Sequence, residues 1–139
     1  MDLHRGRLLD HVHLVVADLG ACKRFYQAVL GSLGYALGGE GPGFFWVDEL
    51  FVSSKDSPAA AGTLTGRVHL AFQAKSREAV TAFYEAGLAT GAQDHGAPGE
   101  RPYHPGYFAA FLLDPDGNNI EAVFHGPAQR SAESVVVSF

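Results

Sequence analysis

Two histidines and one glutamate stand out in this 139-residue chain, each set in an otherwise apolar segment: His11 in LLDHVHLV, His69 in VHLAFQA and Glu121 in NNIEAVF. Two imidazoles and a carboxylate form a facial donor set suited to Fe(II), Mn(II), Zn(II) or Ni(II), with positions left open for a substrate. The chemistry would be Lewis-acid polarisation of a substrate carbonyl or hydroxyl, or of a bound oxygen. Glu121 can also accept a proton if it loosens from the metal, and His13 is an alternative base. A charged Glu on a central strand is costly to bury unless a metal, a partner or solvent compensates it.

The elements that would position these groups repeat along the chain. Strand side chains alternate faces, so Val12, Leu14 and Val16 share one side and His11, His13 and Val15 the other. Likewise Val68, Leu70 and Phe72 oppose His69, and Ile120, Ala122 and Phe124 oppose Glu121. After the first strand, Asp18 stands at a helix N-cap position before LGACKRFYQAVL, whose apolar residues recur at helical spacing. After the second, Ser76 caps REAVTAFYEAGLA, a helix ending near Gly91. Phe25-Tyr26 and Phe83-Tyr84 then lie fourteen and fifteen positions after His11 and His69, an ungapped register that makes those two histidines equivalent.

Short extended pieces follow each helix: 35–39, 44–48 and 50–53 in the first copy, then a weakly written strand near 92–95, followed by 107–113 and 119–124. The pattern predicts an α+β fold of two βαβββ modules in tandem, forming a curved mixed sheet or cup. Module one covers about 8–55, a linker about 56–66, module two about 67–125 and a tail, either edge strand or extension, 126–139. Residues 96–106 (GAPGERPYHPG) read as a loop and Asp114-Pro115-Asp116-Gly117 as a tight turn.

Composition narrows the function. With 47% hydrophobic and 18% charged residues, the chain has the make-up of one compact domain. A net charge of −5 and ten scattered Lys and Arg argue against nucleic acid as a partner. Cys22 is the lone cysteine, so no internal disulfide forms, and no apolar run is long enough for a membrane span or signal peptide; a cytoplasmic location is expected.

On DHVHLVVADL with FYQAVLG, then VHLAF, then LLDPDGNNIEAV, together spanning Asp10 to Val123, the chain resembles the vicinal oxygen chelate superfamily. That group holds glyoxalase I, fosfomycin-resistance thiol transferases, extradiol dioxygenases and bleomycin-resistance binding proteins. The resemblance implies one divalent ion (Zn, Ni, Mn or Fe) on His11, His69 and Glu121, and a homodimer. An octahedral glyoxalase adds an acidic ligand where FFWVDELFV places Phe45 and Trp46, with Glu49 nearby, and fosfomycin-type enzymes carry a Thr where His13 stands. The stretch from RPYHPGYFAAF to DPDGNNIEAV is similar to small bacterial glyoxalase-like members, for which it implies fold and triad without a substrate.

Around the metal set, Phe44, Phe45 and Trp46 are candidates for core or for an aromatic wall suited to a flat or apolar substrate. Tyr103, His104 and Tyr107 lie on or beside the Pro/Gly loop and can hydrogen-bond a substrate oxygen, while Arg101 is the nearest charge for an anionic substrate. Taken singly, His13, His95, His104 and His125 fit a structural role better than a ligand role. The function expected is that of a divalent-metal-dependent glyoxalase-like lyase or isomerase acting on a small substrate through neighbouring oxygens, with a thiol transferase or dioxygenase less favoured. The alternative is a metal-free protein that sequesters a small molecule or antibiotic.

Overall fold

The computed structural model describes residues 2–6, 9–60 and 62–139; the module start near residue 8 and Ala61 of the linker lie outside them. In chain order the elements are β1 (Asp2–Arg5), β2 (Val12–Val16), α1 (Leu19–Ser32), β3 (Gly39–Gly41), β4 (Phe44–Val47) and β5 (Leu50–Ser54). A 3-10 turn at Pro58–Ala60 leads to β6 (His69–Gln73), α2 (Arg77–Ala89), β7 (Gln93–Glu100), β8 (Phe108–Leu113), β9 (Asn119–Phe124) and β10 (Val135–Ser138). Two four-stranded mixed sheets result, ordered β2-β5-β4-β3 and β6-β9-β8-β7. The same connectivity occurs twice, with the first strand of each module parallel to its last, which is the tandem βαβββ arrangement.

The register carries the repeat down to single positions. His13 stands opposite Phe51, and Ala71, its equivalent in the ungapped repeat, stands opposite Glu121. Module two therefore has a carboxylate where module one has a ring.

The chain divides into two compact units: the described residues of 1–19, 36–65 and 129–139, and residues 20–35 with 66–128. This differs from the linear segmentation expected from sequence. Nearly all of α1 belongs with the second sheet, and the C-terminal segment belongs with the first, where β10 pairs antiparallel with β1. Residues 96–100, expected in a loop, extend β7; its pairing with β8 shifts register on both sides of Gly96, which accommodates the irregular Gly/Pro sequence. Among the described residues no helix is long and apolar enough to cross a membrane.

Packing in the second unit explains its helices. Ser76 caps α2 as expected, its Oγ accepting from the Ala79 N–H at 3.0 Å, and Val80 and Phe83 are fully buried. Gly87 lets α2 lie close to its neighbours: a Cβ there would meet Leu112 Cδ1 at 2.1 Å and Val29 Cγ1 of α1 at 3.1 Å. Helix α1 is also tied to the DPDG turn. Tyr26 donates its hydroxyl proton to Asp114 Oδ2 at 2.6 Å, and burial, with Asp114 beside it, holds that phenol pKa well above its usual value. Asp114 also accepts from the backbone N–H of Asp116 (2.9 Å) and Asn118 (2.8 Å) and from Asn118 Nδ2 (2.8 Å). Asn118 Oδ1 in turn accepts from the Val68 N–H at 2.9 Å, so one buried carboxylate fixes the approach to β6 and the start of β9.

Candidate functional site

Glu121 lies mid-strand in β9 and is only 2% exposed, yet its carboxylate is on the face opposite the apolar Ile120 and Ala122. Each of its oxygens has one donor. His69, at the start of β6 with its side chain half exposed, donates from Nε2 to Oε1 at 2.9 Å. Tyr107, just ahead of β8, donates its hydroxyl proton to Oε2. Burial, and then the hydrogen bond to Glu121, raise the Tyr107 pKa, so the phenol stays a neutral donor and is no base at ordinary pH.

The remaining module-two candidates cluster around this core. The Tyr107 ring packs edge-on against Tyr103 and His104, with centroids 5.0 and 5.3 Å away. Arg101 lies 5.4 Å over the Phe111 ring, which is 6.0 Å from His69, and donates to the Ala97 carbonyl at 2.7 Å. His69, Arg101, Tyr103, His104, Tyr107 and Glu121 thus form one connected group in the second unit.

Sequence reasoning missed two members of this group, Phe111 and Asn119. Phe111 stands opposite Glu121, and strand alternation would have placed it there had the β8–β9 register been known. Asn119 is opposite His69 and shares the Glu121 face, and its Oδ1 is buried with no hydrogen-bond partner. An orphaned acceptor beside an imidazole and a carboxylate suits a site that takes a donor from a bound molecule.

In the first unit the candidates are placed differently. His11 precedes β2 rather than lying within it and is exposed; its Nδ1 donates to Asp10 Oδ1 at 2.7 Å. That bond leaves Nε2 as the lone-pair nitrogen, the tautomer a metal-ligating imidazole requires. His13 has Nε2 2.7 Å from Ser53 Oγ, and Ser53 sends its own proton to the Ser54 carbonyl at 3.2 Å. His13 is therefore the donor in that pair, with Nδ1 left to accept a proton.

Of the two places open to Phe45, core or wall, it takes the core: in β4 it is 1% exposed and stands opposite Val52. Phe44 and Trp46 share the other face, because odd and even residues of a strand face opposite ways: Phe44 stacks on Trp46 at 6.1 Å and on Phe51 at 5.4 Å. His13 meets Phe51 edge-on at 5.0 Å and completes an aromatic row. Glycines make room for it, since a Cβ at Gly39 would sit 2.2 Å from the Trp46 ring and one at Gly41 2.6 Å from Phe44.

Among the described residues no three His, Cys, Asp or Glu side chains are gathered as a metal-holding group. The two donors brought together are His69 Nε2 and Glu121 Oε1, one nitrogen and one oxygen, with His69 open to solvent. That set fits a borderline divalent ion better than Mg or Ca, which favour oxygen alone.

A family model described as Glyoxalase/Bleomycin resistance protein/Dioxygenase superfamily matches residues 34–122. No curated protein gives a significant match. Among solved structures, a glyoxalase/bleomycin resistance protein from Albidiferax ferrireducens T118 is 32% identical, with 84% of this chain and 97% of that one covered and a TM-score of 0.66. A glyoxalase/bleomycin resistance protein/dioxygenase family enzyme from Burkholderia phytofirmans PsJN is 25% identical, with 82% and 95% covered and a TM-score of 0.64. A lactoylglutathione lyase from Agrobacterium tumefaciens, 21% identical over 84% of this chain and 92% of that one, shares the fold with a TM-score of 0.60.

Proposed function

Because the chain belongs to the Glyoxalase/Bleomycin resistance protein/Dioxygenase superfamily, we propose that it is a divalent-metal-dependent lyase or isomerase of the glyoxalase kind. The observation that carries this reading is the buried Glu121 carboxylate, with one oxygen facing His69 Nε2 and the other held by the Tyr107 hydroxyl. His69 and Glu121 are the ligands proposed from the second unit, and His11, its Nδ1 proton committed to Asp10, is the third candidate retained from the sequence. A bound ion there supplies Lewis-acid polarisation of neighbouring substrate oxygens.

The chain's own groups do the rest. Glu121 is the proton acceptor, and the neutral Tyr107 phenol orients it and is placed to pass its hydrogen bond to a substrate oxygen when Glu121 turns. Arg101, held over Phe111, favours an anionic substrate. The structural neighbour named lactoylglutathione lyase makes 2-oxoaldehyde–thiol adducts the first class to test, followed by epoxides and catechols. Protein loaded in turn with Ni, Zn, Mn and Fe is expected to turn over one of these, to lose activity to chelator and to regain it with the ion.

The aromatic row of His13, Phe51, Phe44 and Trp46 favours a second reading, metal-free sequestration of a planar molecule. Tight ligand binding indifferent to chelator, with no turnover, would support it over the enzyme.

A further inference from the structure

A pair of imidazoles lies outside the His69–Glu121 ligand pair. His104, in the turn ahead of β8, and His125, directly after β9, stack with centroids 5.2 Å apart and planes 21° from parallel. Their nitrogens face one another, His104 Nε2 lying 2.9 Å from His125 Nδ1. His104 Nδ1 is also 2.9 Å from the Pro105 carbonyl oxygen, which can only accept, so Nδ1 carries the proton and the neutral ring presents Nε2 as a lone pair. A backbone carbonyl holding one imidazole N–H in this way is how proteins fix the tautomer of a metal-binding histidine.

His125 Nδ1 is then the donor within the pair. Because the ring is exposed, it can return that proton to Nε2 through water and free a second lone pair without net proton release. Both rings are exposed and can turn from facing each other to facing one ion, with water filling the other positions. The spacing already suits this: adjacent ligands of a square or octahedral ion with metal–nitrogen bonds near 2.0–2.1 Å lie roughly 2.9 Å apart.

We propose that His104 and His125 form a two-imidazole site for a nitrogen-preferring transition ion, Cu(II) or Ni(II) ahead of Zn(II). The absence of a carboxylate in the pair disfavours Mg and Ca. The Tyr107 ring packs edge-on against both imidazoles, at 5.3 and 5.4 Å, while its hydroxyl holds Glu121. An ion in this site ties the 101–107 turn to the end of β9 and so steadies the residue that orients Glu121.

The test is calorimetric titration of the chelator-treated 139-residue chain with Ni(II) and Cu(II), in a His69→Ala, Glu121→Gln background that silences the first site. The expected result is about one equivalent bound, weakened about tenfold or more by His104→Ala or by His125→Ala, with nitrogen hyperfine structure from the bound Cu(II). If the background variant does not fold, the same titration of the parent gives two classes of site, of which His125→Ala removes one. No binding, or binding unchanged by both histidine substitutions, would overturn the proposal and leave the pair as a hydrogen-bonded strut.

Discussion

Glu121→Gln is expected to weaken metal binding, and with it metal-dependent turnover, on the order of a hundredfold or more, while leaving the protein folded. Loss of a group that merely supports a ligand costs 10–100-fold, so loss of a ligand itself starts from the upper end. The fold survives because Gln has the same shape: its oxygen keeps one donor, and its amide finds an acceptor in the Tyr107 hydroxyl or in the other tautomer of His69. Stability is expected to change by about 1 kcal/mol or less in urea unfolding. Tyr107→Phe is the contrasting control. It leaves a buried carboxylate oxygen without its donor, which costs about 1–3 kcal/mol, yet it keeps both module-two donors and so retains the ion. Equal loss of metal in the two variants would mean that Glu121 acts only as a structural hub.

Asp114→Ala is expected to be the most destabilising single change away from the site. It strips the partner from the Tyr26 hydroxyl, the Asn118 amide and the N–H groups of Asp116 and Asn118, in a place where Asp114 is 4% exposed and little water can substitute. Hydrogen bonds to charged groups contribute about 1.5–3 kcal/mol each and are not additive, so a loss of roughly 3–5 kcal/mol is expected. The midpoint of thermal unfolding should fall on the order of 10 °C. Tyr26→Phe, which removes one of these bonds, should cost about 1–2 kcal/mol. A loss below about 1 kcal/mol for Asp114→Ala would show that the DPDG turn holds itself together without this carboxylate.

Much of this architecture is legible in the chain. The ungapped match of Phe25-Tyr26 with Phe83-Tyr84 gave the two modules, Ser76 and the apolar spacing gave the start of α2 and its end to within two residues, and alternation put Glu121 opposite the core-facing Ile120 and Ala122. What escaped depends on tertiary packing or on irregular backbone. FFWV is apolar at every position and so has no polar phase to say that Phe45 is core and Phe44 is wall. Bulges in β7 broke the alternation that would have extended it through residues 96–100. DPDG reads as a turn, and nothing local says that its first Asp is the buried acceptor for a tyrosine eighty-eight residues earlier. The partnership of His104 with His125 likewise spans twenty-one residues and needs the β8–β9 pairing to bring it about.

Metal content is the most direct test of the proposal that His69 and Glu121 hold a divalent ion. The chelator-treated chain and its His69→Ala, Glu121→Gln variant, both carrying His125→Ala to remove the second pair, would be incubated with Mn, Fe, Ni and Zn salts. Both would then be desalted, checked for folding by circular dichroism, and analysed for bound metal. About one equivalent of one of these ions is expected in the first protein and little in the second. No retained metal in either, or equal amounts in both, would contradict it.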